Sequence, residues 1–153
     1  MSEILGKSRW EKPEEVFGNL VGKWSLDRTI EGHGSMQGAA TFTPIDQDNL
    51  AYREEGIFKL LDGTELPAEQ EYIFRVREGG FDVLFKENPP RLFLEISLAQ
   101  DDSSKYLGCA SHLCGRDTYQ STYTFLPNGD FVIRYVVGGP RKDYTMLTTY
   151  SRA

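Results

Sequence analysis

The chain has 153 residues with a formal net charge of −6. That is the length of one ordinary domain, and its charge balance argues against a non-specific nucleic-acid binder, which needs clustered Lys and Arg. No run of about 18 apolar residues is present to span a membrane, and the charged opening "MSEILGKSRWEKPEE" lacks an apolar signal core, so the expected compartment is the cytosol. There the two cysteines, Cys109 and Cys114, are expected as free thiols. A domain of this size buries roughly 70% of the surface its unfolded chain exposes and needs no staples.

The first predicted element is a short helix over about residues 13–20, "PEEVFGNL". Pro13 suits a first helical position, and Glu14 and Glu15 lie near the positive end of the helix dipole. Val16, Phe17 and Leu20 make an apolar stripe fit for a lid or plug. After Val21 the pattern changes to strands. "KWSLDRTIE" alternates, with Trp24, Leu26, Arg28 and Ile30 on one side, and a turn follows at Gly32 and Gly34. "GAATFTPI" and "NLAYREEGIFKL" are separated by the turn cluster "DQDN". An Asp-Gly turn leads to "EQEYIFRVRE", then come "FDVLFKE", "RLFLEISL", "KYLGCASHLC", "DTYQSTYTF", "FVIRYVV" and "DYTMLTTYSR". About ten strands joined mostly by short turns predict an all-β fold, a single closed antiparallel up-and-down barrel. One domain, 1–153, fills the chain, with the barrel over about 21–152.

Strand parity sorts the faces. In "NLAYREEGIFKL", Arg53, Glu55 and Lys59 require solvent, so Tyr52, Glu54, Gly56 and Phe58 face inward. By the same rule Tyr72, Phe74 and Val76 face in, as do Phe81, Val83 and Phe85, while Asp82 and Lys86 face out. In "DTYQSTYTF" the inner set is Asp117, Tyr119, Ser121, Tyr123 and Phe125. The predicted interior therefore holds the charges of Arg28, Glu54 and Asp117. Charges there must be paired, hydrated or bound to a ligand. Two compatible readings follow: an internal Arg28–carboxylate network with water, and a polar anchor for a ligand beneath a wall of Tyr52, Phe58, Tyr72, Phe74, Tyr119 and Tyr123.

"GCASHLCGRDTYQSTYTF" concentrates the reactive residue types. Cys109, His112 and Cys114 are competent metal ligands, but on a strand Cys109 points away from the other two, and His33 lies far off in a Gly-rich turn. No metal site is expected. His112 and Cys114 stand around 7 Å apart at the backbone, so a thiolate–imidazole pair is not imposed. A strand-borne histidine as haem axial ligand is a minority reading; otherwise no cofactor is expected. The remaining reading makes His112, Asp117 and Tyr119 the polar end of a pocket, with Gly108 and Ala110 leaving room and Gly115 bending the strand. In "GGPRKDY", Arg141 sits on a turn from which it could reach an anionic group at the barrel mouth.

"GKW" (Gly22, Lys23, Trp24), with Arg152 near the end of the last strand, resembles the signature of the calycins, the lipocalin-like and fatty-acid-binding-protein-like barrels. The resemblance implies that Arg152 stacks across Trp24 at the closed end, a cation–π contact. "AYREEGIF", "SHLCGRDTY" and "GPRKDYTMLTTYSR" in this order resemble a calycin-like family of small, mostly bacterial proteins catalogued as domain of unknown function 6314, over about residues 18–152. "KWSLDRT" is also distantly similar to the chromophore lyases of phycobiliproteins.

The expectation is a barrel that binds a partly apolar small molecule with a polar or anionic head. The candidate ligand-binding residues are Arg28, Tyr52, Glu54, His112, Asp117, Tyr119, Tyr123 and Arg141. Alternatives are an enzyme with His112 as acid or base, a haem- or bilin-handling barrel, and a protein-interaction module, including a homodimer.

Overall fold

A computed structural model describes residues 13–100, 106–114, 117–140 and 143–153, and of 13, 14, 100, 106–114 and 117 the backbone alone. A seven-residue helix, α1 (Pro13–Asn19), precedes ten strands. These are β1 (Gly22–Ile30), β2 (Gly34–Pro44), β3 (Asn49–Leu60), β4 (Glu65–Arg77) and β5 (Gly80–Phe85), then β6 (Arg91–Gln100), β7 (Tyr106–Cys114), β8 (Asp117–Phe125), β9 (Phe131–Gly138) and β10 (Asp143–Arg152). Each strand pairs antiparallel with its neighbours in sequence, and β1 also pairs with β10, so the ladder returns to its start. The architecture is all-β with one short helix.

Alternation decides which side chains fill the barrel. On β3, Leu50, Tyr52 and Glu54 are buried while Arg53, Glu55 and Lys59 are exposed. On β9, Phe131, Ile133 and Val137 are buried and Arg134 is exposed. The outer face carries ion pairs such as Arg53 with Glu69 and Lys86 with Glu71. Asp82, expected to face solvent, does lie on this outer face but is only 6% exposed. Arg75 and Arg77 cover it, donating to its two oxygens at 3.0 and 2.8 Å. Two guanidinium groups that satisfy a carboxylate also remove it from water.

The wall is uneven. β2 and β3 pair along the whole run from Gly34↔Leu60 to Pro44↔Leu50, whereas β6 and β7 pair only from Ser97↔Cys109 to Gln100↔Tyr106. β4 begins at Glu65, ahead of the predicted start, although Pro67 lies inside it. Only Tyr72–Arg77 of β4 pair with β5, so Pro67 pairs with Ile57 on one side and has no ladder partner on the other. There its missing N–H costs no hydrogen bond. Gly38 and Gly56 face each other across β2 and β3. The backbones approach so closely that a Cβ on Gly38 would fall 2.1 Å from the Glu55 carbonyl oxygen, which reserves both positions for glycine.

One end of the barrel is plugged. Val16, Phe17 and Leu20 of the α1 segment are buried against Trp24, whose Nε1 donates to the Leu20 carbonyl at 2.9 Å. Arg152 lies opposite Trp24 in the register, its guanidinium carbon 3.9 Å from the indole centroid. The same guanidinium donates to the carbonyls of Asn19 (2.8 Å) and Val21 (2.9 Å), capping the end of the helix. Gly22 turns the chain into β1 at φ +124°, and a Cβ there would meet Arg152 Nη1 at 2.9 Å. The Gly-x-Trp triplet thus has a mechanical reason: glycine makes the turn and leaves the space that the arginine occupies. Phe131 packs edge-on to Trp24 at 4.8 Å and stacks on Tyr150 at 4.3 Å, extending the floor upward.

Candidate functional site

Above this floor the inner positions turn polar. Arg28 stands four residues beyond Trp24 on β1, and Glu54 four beyond Leu50 on β3. β2 lies between them. Arg28 registers with Met36 and Glu54 with Ala40, and the intervening position is Gly38, which puts no side chain in the way. Arg28 therefore reaches diagonally to Glu54 in a bidentate pair, Nη1 to Oε2 at 2.6 Å and Nη2 to Oε1 at 2.9 Å. The two side chains are only 12% and 6% exposed. Arg28 Nε donates to Thr148 Oγ1 at 2.8 Å, and Nη1 also lies 3.7 Å from Met36 Sδ. Burial by itself disfavours the guanidinium charge, but the hydrogen bonds and charge of Glu54 outweigh it and hold Arg28 well above its ordinary value.

The pair continues into a phenol network. The Tyr52 hydroxyl donates to Glu54 Oε1 at 2.5 Å and lies 2.8 Å from the Tyr150 hydroxyl. Tyr123 and Tyr135 form a second hydroxyl pair at 3.3 Å. Gln70 Nε2 donates to the Tyr72 hydroxyl at 3.1 Å. Burial raises all five phenols above the ordinary tyrosine value, Tyr150 to about 12. Each is a neutral donor–acceptor at neutral pH.

These groups line one cavity of about 180 Å³. Arg28, Glu54, Gln70 and Thr148 supply polar edges, the five tyrosines the wall, and Phe74, Val83, Ile133 and Met146 the apolar surface. Phe93 joins the upper wall, 6.0 Å from the Tyr72 ring and 5.9 Å from that of Tyr119.

Of the sequence candidates, Arg28, Tyr52, Glu54 and Tyr123 line this cavity together, and Tyr119 stands beside Phe93 at its edge. The register sets His112 opposite Tyr119 and Cys114 opposite Asp117. The side chains of Cys109, His112, Cys114 and Asp117 lie outside the described residues, as do Gly115 and Arg141. His33 sits in the turn after β1, its ring 5.6 Å from that of Tyr144, and does not line the cavity. Among the described residues no group of three or more His, Cys, Asp or Glu could hold a metal ion. No helix among them is long and apolar enough to cross a membrane.

Sequence reasoning did not single out Gln70, Ile133, Tyr135, Met146, Thr148 or Tyr150. A signal existed for the last three. If Arg152 faces Trp24, then Tyr150, Thr148 and Met146 share its parity on β10 and face inward.

An antiparallel barrel, plugged by a helix at one end and holding a cavity of aromatic, apolar and polar groups, defines the class of protein. The chain belongs to the "Family of unknown function (DUF6314)", whose model matches residues 20–152. No curated protein matches it. Among solved structures, the S-type phycobiliprotein lyase CPES from Guillardia theta is similar, with a TM-score of 0.62 and 11% identity over 99% of this chain and 96% of that one. A de novo designed fluorescence-activating β-barrel aligns with a TM-score of 0.48 and 12% identity over 89% of this chain and 95% of that one. The lyase likeness is one of fold.

Proposed function

We propose that this barrel binds one small, partly apolar molecule in the cavity above the Trp24 floor. The observation that carries the reading is a partly open cavity of about 180 Å³ with aromatic walls and convergent hydrogen-bonding groups. A comparable cavity of about 150 Å³ holds benzene in another protein, so this volume suits a ligand of one or two rings. A haem or bilin has four pyrrole rings and needs several times that space, so the size favours a smaller ligand. The polar head replaces water among Arg28, Glu54 and the phenols, while Phe74, Val83, Ile133 and Met146 take the apolar body. The phycobiliprotein lyase shares the fold, and it supports the barrel alone.

Native mass spectrometry of freshly purified protein tests this, together with Met146→Trp, which fills the cavity from its partly exposed rim. The expected result is a co-purified small mass in the parent and its loss in a variant that still folds. A parent without bound mass, combined with a Met146→Trp variant that melts higher as though an idle void had been filled, overturns the reading.

A further inference from the structure

The hydrogen-bond wiring of the cavity restricts what the ligand can be. Glu54, ion-paired with Arg28, only accepts, so the single Tyr52 proton goes to it. The Tyr150 proton must then be the one in the Tyr52–Tyr150 contact, and both are engaged. Tyr72 is different. It accepts from Gln70, and among the described residues its own proton has no acceptor. The Tyr123–Tyr135 pair uses one proton between two hydroxyls, which leaves a second one unengaged among the described residues. Tyr72, Tyr123 and Tyr135 all line the same cavity. The cavity thus presents two O–H donors from three phenols. Its one carboxylate is already bound by the two Arg28 nitrogens and the Tyr52 hydroxyl.

Charge narrows the choice further. Arg28 and Glu54 neutralise each other, so the described lining has no net charge. A carboxylate entering it would lose its hydration with no unpaired cation to meet it. An uncharged acceptor suffers no such penalty, and donors on the lining of one cavity reward a carbonyl oxygen, which has two lone pairs.

We infer that the cavity selects an uncharged one- or two-ring molecule with a carbonyl-type acceptor, held by the Tyr72 hydroxyl and the free proton of the Tyr123–Tyr135 pair. This deepens the proposed small-molecule binding and rests on it. A matched probe series separates the terms: 1-indanone carries the acceptor, indane lacks it, and indane-2-carboxylate replaces it with a charge. Binding is read by calorimetry and by shifts in the protein's aromatic NMR signals. The expected order is 1-indanone first, with indane at least about tenfold weaker, as for one or more lost hydrogen bonds, and the carboxylate weakest. Tyr72→Phe and the double variant Tyr123→Phe with Tyr135→Phe, each verified as folded by circular dichroism, should weaken 1-indanone about tenfold and leave indane unchanged. If indane or the carboxylate binds as tightly as 1-indanone, or if both variants bind the ketone as the parent does, the donor assignment is wrong while small-molecule binding stands. If none of the three probes binds, both fall.

Discussion

The floor and the upper lumen are built from the same strands yet obey different physics. Along β1 the inner positions run Trp24, Leu26, Arg28, and along β3 they run Leu50, Tyr52, Glu54. Two alternations along each strand separate an apolar plug from an ion pair. At the floor, Trp24, Phe42, Phe125 and Phe131 are almost completely buried, and the first three each meet the Phe131 ring. Higher up, the buried groups are phenols and a paired charge beside open space. The floor holds the barrel shut chiefly through buried area and ring packing. The upper lumen depends on the pairing of its buried charge, and it fails when Arg28 or Glu54 loses the other. The difference teaches that in/out alternation and depth along the strand are separate signals, and that the second one marks the site.

The largest expected effect comes from breaking that pairing. Glu54→Leu leaves the Arg28 guanidinium buried without its carboxylate and removes the acceptor of Tyr52. A loss of about 3–5 kcal/mol is expected in urea unfolding, as for a buried pair stripped of one partner. The double variant Arg28→Met with Glu54→Leu removes both charges and should recover most of that loss. Equal destabilisation of the single and double variants would show that the upper lumen is held by packing, as the floor is, and the contrast would collapse.

A second, smaller effect separates the regions by pH. The Tyr150 phenol ionises near 10 in the unfolded chain and is pushed up to about 12 in the fold, chiefly by burial. Because the folded state holds the proton more tightly, this stabilisation is fully present below pH 10 and is lost as pH rises through about 12. From Tyr150 alone the loss is roughly 2–3 kcal/mol. Tyr52, Tyr123 and Tyr135, raised for the same first reason, steepen the decline. Urea midpoints measured from pH 9 to 12, with tyrosinate absorbance as monitor, should fall over this window. A flat profile would mean that the phenols are hydrated rather than buried.

Much of this was legible in the sequence because charged outer residues fix strand parity. Arg53, Glu55 and Lys59 flank Tyr52 and Glu54, and Gln120 and Thr122 flank Tyr119 and Tyr123, so the inner sets follow. Strand ends were less legible. Pro67 argues against a strand, and only the one-sided pairing of that part of β4 explains its place. The partner of Arg28 was the main ambiguity. Parity puts Arg28 inside but cannot tell a carboxylate of the protein from one of a ligand. That depends on the register across β2 and on Gly38 leaving the diagonal path to Glu54 open. In the sequence Gly38 only opens the predicted strand "GAATFTPI", and its role exists only in three dimensions. The anionic-head expectation weakens for the same reason, since the charge of Arg28 is already answered within the chain.

The smallest effect concerns the outer wall, and it tests whether burial rather than ion pairing itself makes the upper lumen fragile. Lys86 and Glu71 form an ion pair at 3.0 Å, a separation close to that of Arg28 and Glu54, yet their side chains are 54% and 39% exposed. Water solvates both partners when the contact breaks, and salt screens what attraction remains. Lys86→Ala should therefore cost less than about 1 kcal/mol, and its difference from the parent should shrink further in high salt. The interior pair differs in both respects: it is nearly buried, so little water can replace a lost partner, and it is little reached by added salt. If Lys86→Ala destabilised the barrel as much as Glu54→Leu, the β3–β4–β5 wall would depend on its surface ladder, and the fragility of the lumen could not be assigned to burial.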